Sequence, residues 1–188
     1  MSLTIAVDVD GVVADLFPVW IARYNADWQD TLEVSQLTQW DLSQHVKSAC
    51  GTLIFDYLHQ PSLYDAVKPI VGALEGVQAL RSLGHRVVFV TTTNRYIGCR
   101  KLTWLAEHGF LSLDYFDMSN RDYVETLDKS LIAADVMIDD APHNLEVFGG
   151  KHKILFEQPH NRTELRFKRY LDWATIPQYV KEIAEIEE

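Results

Sequence analysis

Four short, unbroken apolar runs stand out along the chain, each stopped by polar or turn-forming residues. Leu3-Thr4-Ile5-Ala6-Val7 ends in Asp8-Val9-Asp10-Gly11, and Arg86-Val87-Val88-Phe89-Val90 ends in Thr91-Thr92-Thr93-Asn94. Asp135-Val136-Met137-Ile138 ends in Asp139-Asp140-Ala141-Pro142, and Lys153-Ile154-Leu155-Phe156 stops before Gln158-Pro159. Runs of this length predict strands buried on both faces. A weaker candidate is Asp114-Tyr115-Phe116-Asp117-Met118. Between the strands the period changes. Gly72 to Leu83 places Leu74, Val77, Leu80 and Leu83 three apart, with Gly84 as a stop, and Gly98 to His108 carries Leu102, Leu105 and Ala106 before Gly109. Ile176 to Glu188 sets Ile176, Val180, Ile183 and Ala184 on one helical face. Alternating strands and helices predict an α/β fold with a mainly parallel sheet covered on both faces. Ligands of such sheets bind beyond the carboxyl ends of the strands.

Roughly sixty residues separate the first strand from the helix at Gly72, too many for a structureless loop. Leu16, Val19, Trp20 and Tyr24 recur there at helical spacing, which predicts a small helical insert over the strand ends. Trp20 and Tyr24 are read as the insert's own core. Trp40, Phe55 and Tyr57 are candidates for a wall on which a nucleobase could stack.

Composition narrows the function. Among 188 residues, 17 Lys+Arg face 27 Asp+Glu, a net charge of -10. That acidity argues against polymeric nucleic acid, which needs a basic stripe. No apolar run reaches membrane-spanning length, and no signal peptide is read at the N-terminus. Cys50 and Cys99 form no CxxC pair, so a reduced, cytoplasmic protein is expected. The sequence leaves a homodimer open.

The chemistry gathers at the strand ends: Asp8 and Asp10 after the first, Thr91 and Thr92 after the second, Asp139 and Asp140 after the third, with Lys129 just upstream. Clustered carboxylates repel unless a cation neutralises them, and oxygen donors without nearby His or Cys suit Mg²⁺. A hydroxyl and an ammonium beside them suit phosphate oxygens. Phosphoryl transfer from a small phosphate ester follows. Read singly, Lys129, Lys101, Arg95 and Arg100 are surface charges, and Asp15 is a cap or hydrogen-bond organiser. His45, His59, His85, His108, His143, His152 and His160 show no zinc spacing and are read as surface or turn residues.

Asp8-Val9-Asp10-Gly11-Val12-Val13-Ala14-Asp15 resembles the DxDGVxxD signature of the haloacid dehalogenase (HAD) superfamily of phosphatases, with Thr91, Lys129 and Asp139-Asp140 resembling its later motifs, in order. Asp128-Lys129-Ser130, Ala133-Ala134-Asp135, Met137-Ile138-Asp139-Asp140-Ala141-Pro142, and Lys101 ahead of Trp104-Leu105 are similar to its 5'(3')-deoxyribonucleotidase branch. The resemblance implies a Rossmannoid core of residues 1–14 and 70–188 and a helical cap of residues 15–69. It implies Asp8 as nucleophile, forming an aspartyl phosphate, and Asp10 as general acid, then base. Mg²⁺ would be held by Asp8, the carbonyl of Asp10 and Asp139, with Asp140 acting through water. Thr91, Thr92, Lys129 and Lys101 would bind substrate, a nucleoside monophosphate. A sugar phosphate is the alternative ester. A receiver-like phospho-accepting domain fits less well, because Lys129 precedes the last Asp pair. Leu16, Ala141 and Thr92-Thr93 depart from residues common in the branch, which bears on nucleotide selectivity.

Overall fold

The computed structural model describes residues 1–93, 97–114 and 122–186. Its strands are β1 (Thr4–Val7), β2 (Arg86–Thr91), β3 (Tyr123–Glu125), β4 (Val136–Asp139), β5 (His152–Phe156) and β6 (Lys168–Tyr170). They form one sheet in the order β3-β2-β1-β4-β5-β6, every neighbouring pair parallel. The four apolar runs are thus its four central strands. The two edge strands have three residues each, and β3 and β6 carry no long apolar run. The weak candidate at 114–118 lies almost wholly outside the described residues.

Period-two alternation assigns each strand residue to a face. Ile5, Val7, Val87, Phe89, Val136, Ile138, Ile154 and Phe156 belong to the larger core, whereas Ala6, Val90, Met137 and Leu155 belong to a second, smaller one. The helices are α1 (Leu16–Trp28), α2 (Ala73–Ser82), α3 (Gly98–Glu107), α4 (Pro142–Val147) and α5 (Ile176–Ile186). Buried residues of α1, α2, α3 and α5 pack in the large core, and α4 closes the small one through Leu145. The sheet is covered on both faces, but unequally.

Residues 15–69 hold α1 and then 3₁₀ turns at Val34–Gln36, Leu42–Gln44, Gly51–His59 and Pro61–Asp65. Side-chain hydrogen bonds tie the turns and the chain between them to α1. Tyr24 Oη donates to Asp30 Oδ2 at 2.5 Å and accepts from Lys47 N at 2.8 Å, and Trp20 Nε1 donates to Ile54 O at 2.9 Å. Trp20 and Tyr24 are buried, as expected of a local core. The stretch begins and ends side by side: Asp15 N donates to Lys68 O and Ile70 N to Val13 O, both at 2.9 Å. Among the described residues no helix is long and apolar enough to cross a membrane.

Four side chains read as surface or turn groups are buried. Lys101 and Lys129 are each 2% exposed, and His85 and His160 are also enclosed. Lys101 follows Ile97 by four and precedes Trp104 and Leu105 by three and four, so helical geometry sets it on the apolar stripe of α3.

Candidate active site

β1 lies at the centre of the sheet between β2 and β4, where the crossovers turn to opposite sides. Such a switch point opens a crevice at the carboxyl ends of its strands. Asp8 leaves β1 there, still held by Asp8 N donating to Ile138 O at 2.9 Å, while β4 ends at Asp139 and β2 at Thr91. Lys129 comes from a 3₁₀ turn over Lys129–Leu131, whose start is capped by Asp128 Oδ1 accepting from Ser130 N at 2.9 Å.

Lys129 Nζ bridges Asp8 Oδ1 and Asp139 Oδ2, each at 2.7 Å. Burial opposes the ammonium charge, but the two carboxylates outweigh it and raise the Lys129 pKa. Asp139 also accepts from Ala141 N at 2.8 Å and from Asn144 Nδ2 at 3.1 Å on both oxygens. Asn144 was not singled out from sequence; its position in the first turn of α4, five residues after Asp139, is the only signal it carries. For Asp8, burial raises the pKa more than Lys129 lowers it.

Asp140 is fully enclosed, and neither carboxylate oxygen has a hydrogen-bond partner. His160 Nε2 stands 3.4 Å from its Oδ2 and contacts the Asp140 carbonyl at 3.2 Å. Burial first, then Asp8 and Asp139, drive the Asp140 pKa well up, and burial depresses that of His160 to about 4. Oxygens of Asp8, Asp139 and Asp140 lie within 4.8 Å of one another. Two orphaned buried oxygens in an all-carboxylate cluster fit a hard divalent cation. Gly11 makes room for the cluster: its φ is +72°, and a Cβ there would stand 2.4 Å from Asp140 Oδ2.

The carboxylate of Asp10 turns elsewhere. Its Oδ2 accepts from Lys101 Nζ at 2.5 Å, and its Oδ1 accepts from Tyr64 Oη. Lys101 Nζ also donates to Thr91 Oγ1 at 3.0 Å and to Thr92 O at 2.8 Å. Lys101, expected from sequence as a substrate contact, is thus joined to the second-strand motif and is not among the residues that line the cavity shared by Asp8, Asp10 and Thr91. Burial raises the Asp10 pKa and Lys101 partly offsets it.

Asp8, Asp10, Thr91, Thr92, Lys129 and Asp140 share one cavity of about 340 Å³. Asp139 joins them through Lys129. Phe17, Trp20, Trp40 and Phe55 also line the cavity, with Leu42 and Leu58 and the polar His143 and Asn144. Trp40 packs edge-on against His143 and His160, with centroids 5.0 and 4.9 Å away. Of the three aromatics considered for a stacking wall, Trp40 and Phe55 line the cavity. Tyr57 does not; its hydroxyl donates to Asp27 Oδ2 at 2.7 Å. Asp15 stands before α1 without a side-chain capping bond and borders a separate hollow.

A family model described as 5' nucleotidase, deoxy (pyrimidine), cytosolic type C protein matches residues 2–185. The 5'(3')-deoxyribonucleotidase of Bacillus subtilis is 34% identical over 177 residues, covering 94% of this chain and 97% of that protein. The one from Clostridium acetobutylicum is 32% identical over 171 residues, covering 90% of each. Among solved structures, a HAD family hydrolase from Deinococcus radiodurans with bound phosphate and sodium superposes with a TM-score of 0.58 at 14% identity, covering 96% of each chain. A haloacid dehalogenase-like hydrolase from Xanthomonas campestris gives 0.54 at 15% identity, covering 97% of this chain and 96% of that one. These two likenesses speak to the fold. Family match and relatives agree, and the chain, built on a HAD-like fold, belongs to the 5' nucleotidase, deoxy (pyrimidine), cytosolic type C family.

Proposed function

We propose that the protein removes the phosphate of a nucleoside monophosphate, a deoxyribonucleotide first of all, through an aspartyl phosphate on Asp8. The reading rests on one juxtaposition: a buried Asp–Lys–Asp cluster reaches a cavity that four aromatic side chains also line. The cluster suits a phosphoryl group and the aromatic rings suit a nucleobase, whose π face stacks on any such ring. The names of the curated relatives point the same way. Residues 15–69, which contribute Trp20, Trp40 and Phe55, act in this reading as a cap over the core.

Asp8 attacks phosphorus in line with the departing ester oxygen, and Asp10 gives that oxygen its proton. Asp10 then takes a proton from the water that releases phosphate. Lys129 and the Thr91 hydroxyl hold phosphoryl oxygens, Lys129 contributing charge and Thr91 orientation fixed by Lys101. Asp8, Asp139 and Asp140 would hold Mg²⁺, with the Asp10 carbonyl beside them. The bound ion would neutralise phosphoryl charge as it shifts between oxygens.

A panel of deoxyribonucleoside monophosphates, ribonucleoside monophosphates and sugar phosphates, assayed for phosphate release with Mg²⁺, tests the substrate class. Turnover of nucleotides is expected; turnover confined to sugar phosphates would reject the assignment.

A thermal measurement tests the metal without turnover. Because burial raises the folded-state pKa of Asp8 and Asp140, these two groups hold their protons to higher pH in the metal-free fold than in the unfolded chain. These groups therefore favour the fold increasingly as pH falls. Mg²⁺ must displace those protons, so the rise in Tm on adding it should shrink as pH falls. A Tm indifferent to Mg²⁺, or a shift that grows in acid, would contradict the assigned ligands.

A further inference from the structure

We infer that Tyr64 is a positioning residue for the acid step, fixing the Asp10 carboxyl group and stabilising the carboxylate it becomes. The inference rests on the role given to Asp10 above and adds a residue that neither the sequence motifs nor the metal cluster includes. Tyr64 belongs to the 3₁₀ turn Pro61–Asp65, at the end of the segment that leaves the core after β1. Its side chain is 1% exposed, and its hydroxyl donates to Asp10 Oδ1. The other oxygen of Asp10 is held by Lys101 Nζ. Two donors on two oxygens leave the carboxyl group no freedom to rotate.

The phenol ring is held as firmly. It stands edge-on to Trp104, centroids 6.1 Å apart at 80°, and Trp104 Nε1 donates to Val67 O at 2.9 Å, three residues along the chain from Tyr64. Lys101 Nζ lies 5.9 Å from the ring centre. Helix α3 thus supplies both the second donor to Asp10 and the surface that seats the first.

The chemical consequence lies in the first half-reaction. The bond from Asp8 to phosphorus forms as the ester P–O bond breaks, and the electron pair leaves on the ester oxygen. That oxygen takes the proton of Asp10, which becomes a carboxylate. A hydrogen bond to a carboxylate is stronger than one to a neutral carboxyl, so the Tyr64 contact strengthens as the proton departs. It contributes to the transition state wherever the leaving group needs that proton, and little where it does not.

The test measures the rate of leaving-group release in the first turnover, before water attacks the shared aspartyl phosphate, for the wild type, Tyr64→Phe and Asp10→Asn on two esters. One is a deoxyribonucleoside monophosphate, whose alkoxide needs a proton; the other is 4-nitrophenyl phosphate, whose phenoxide leaves without one. Tyr64→Phe keeps the ring and its packing. We expect this first-turnover rate to fall about tenfold or more on the nucleotide and less than about twofold on the aryl ester, with the substrate concentration that half-saturates it unchanged on both. The ratio of the two rates is independent of the fraction of molecules folded, so partial unfolding cannot imitate the result. If Asp10→Asn shows this selectivity and Tyr64→Phe loses both activities equally, or neither, Tyr64 has no part in the acid step while Asp10 keeps its role. If Asp10→Asn itself loses both equally, the acid role of Asp10 falls and this inference falls with it.

Discussion

Replacing Asp8 with Asn is expected to lower kcat by about four to six orders of magnitude while the protein stays folded. The amide keeps the shape of the carboxylate, and its oxygen can still accept from Lys129 Nζ, which stands 2.7 Å from Asp8 Oδ1. What it loses is the negative charge that makes the oxygen nucleophilic enough to attack phosphorus. The fold should tolerate the change. Burial already works against the charge of Asp8, so a neutral side chain removes an unfavourable group even as it weakens one partner of Lys129. Steady-state assay and melting of the same preparation separate the two effects. Full activity in Asp8→Asn would take this residue out of the mechanism; loss of activity together with loss of the melting transition would make its role structural.

Lys129→Met should damage both fold and turnover. The ammonium is the contact that reconciles two buried carboxylates, at 2.7 Å to each. Methionine fills similar volume but leaves Asp8 and Asp139 facing each other without compensation. Removing one member of a buried ionic cluster costs about 3–5 kcal/mol. Denaturant titration with a chelator present should read a loss of that size. Adding Mg²⁺ should recover part of it, because the ion replaces the missing positive charge beside the same oxygens. The Lys129 ammonium itself keeps its charge across neutral pH. The carboxylates raise the Lys129 pKa above its ordinary 10.5, so the stability it supplies is complete below that value and is lost only as pH rises through the folded pKa. With substrate, the variant should lose about two to three orders of magnitude in kcat. A stability loss below about 1 kcal/mol would mean that the two carboxylates are not both ionised in the folded protein.

The central strands were legible because a parallel sheet buries both faces of a strand, leaving unbroken apolar runs such as Val136-Met137-Ile138. Edge strands lack that signature. Tyr123–Glu125 and Lys168–Tyr170 each pair on one side within the described residues, keep polar residues, and look like loop in the sequence. The acidic motifs could be placed because the chain must reverse where a buried strand ends, and polar side chains collect at those reversals. Burial of the two lysines was harder to see. Lys129 follows a β-strand and turn with no periodicity, and only the carboxylates that contact it in three dimensions explain its place. Lys101 did carry a signal, its position on the stripe of Ile97, Trp104 and Leu105, but a cation on an apolar stripe is ordinarily solvated through its long stem. His160 and Tyr64 sit in 3₁₀ turns, where neither a period of two nor one of 3.6 assigns a face. Their contacts with Asp140 and Asp10 join positions far apart in the sequence, 20 and 54 residues, which no local pattern encodes.

The central claim, that Asp8 itself carries the phosphoryl group, can be tested by trapping. The enzyme is mixed with a radiolabelled deoxyribonucleoside monophosphate and Mg²⁺, quenched in acid during the first turnovers, and treated with borohydride, which reduces an acyl phosphate to an alcohol. Peptide mass spectrometry should then find homoserine at residue 8, in proportion to the label bound at the quench, and aspartate at residues 10, 139 and 140. Label-free protein under conditions of rapid turnover, or homoserine at any of the other three positions, would contradict the account.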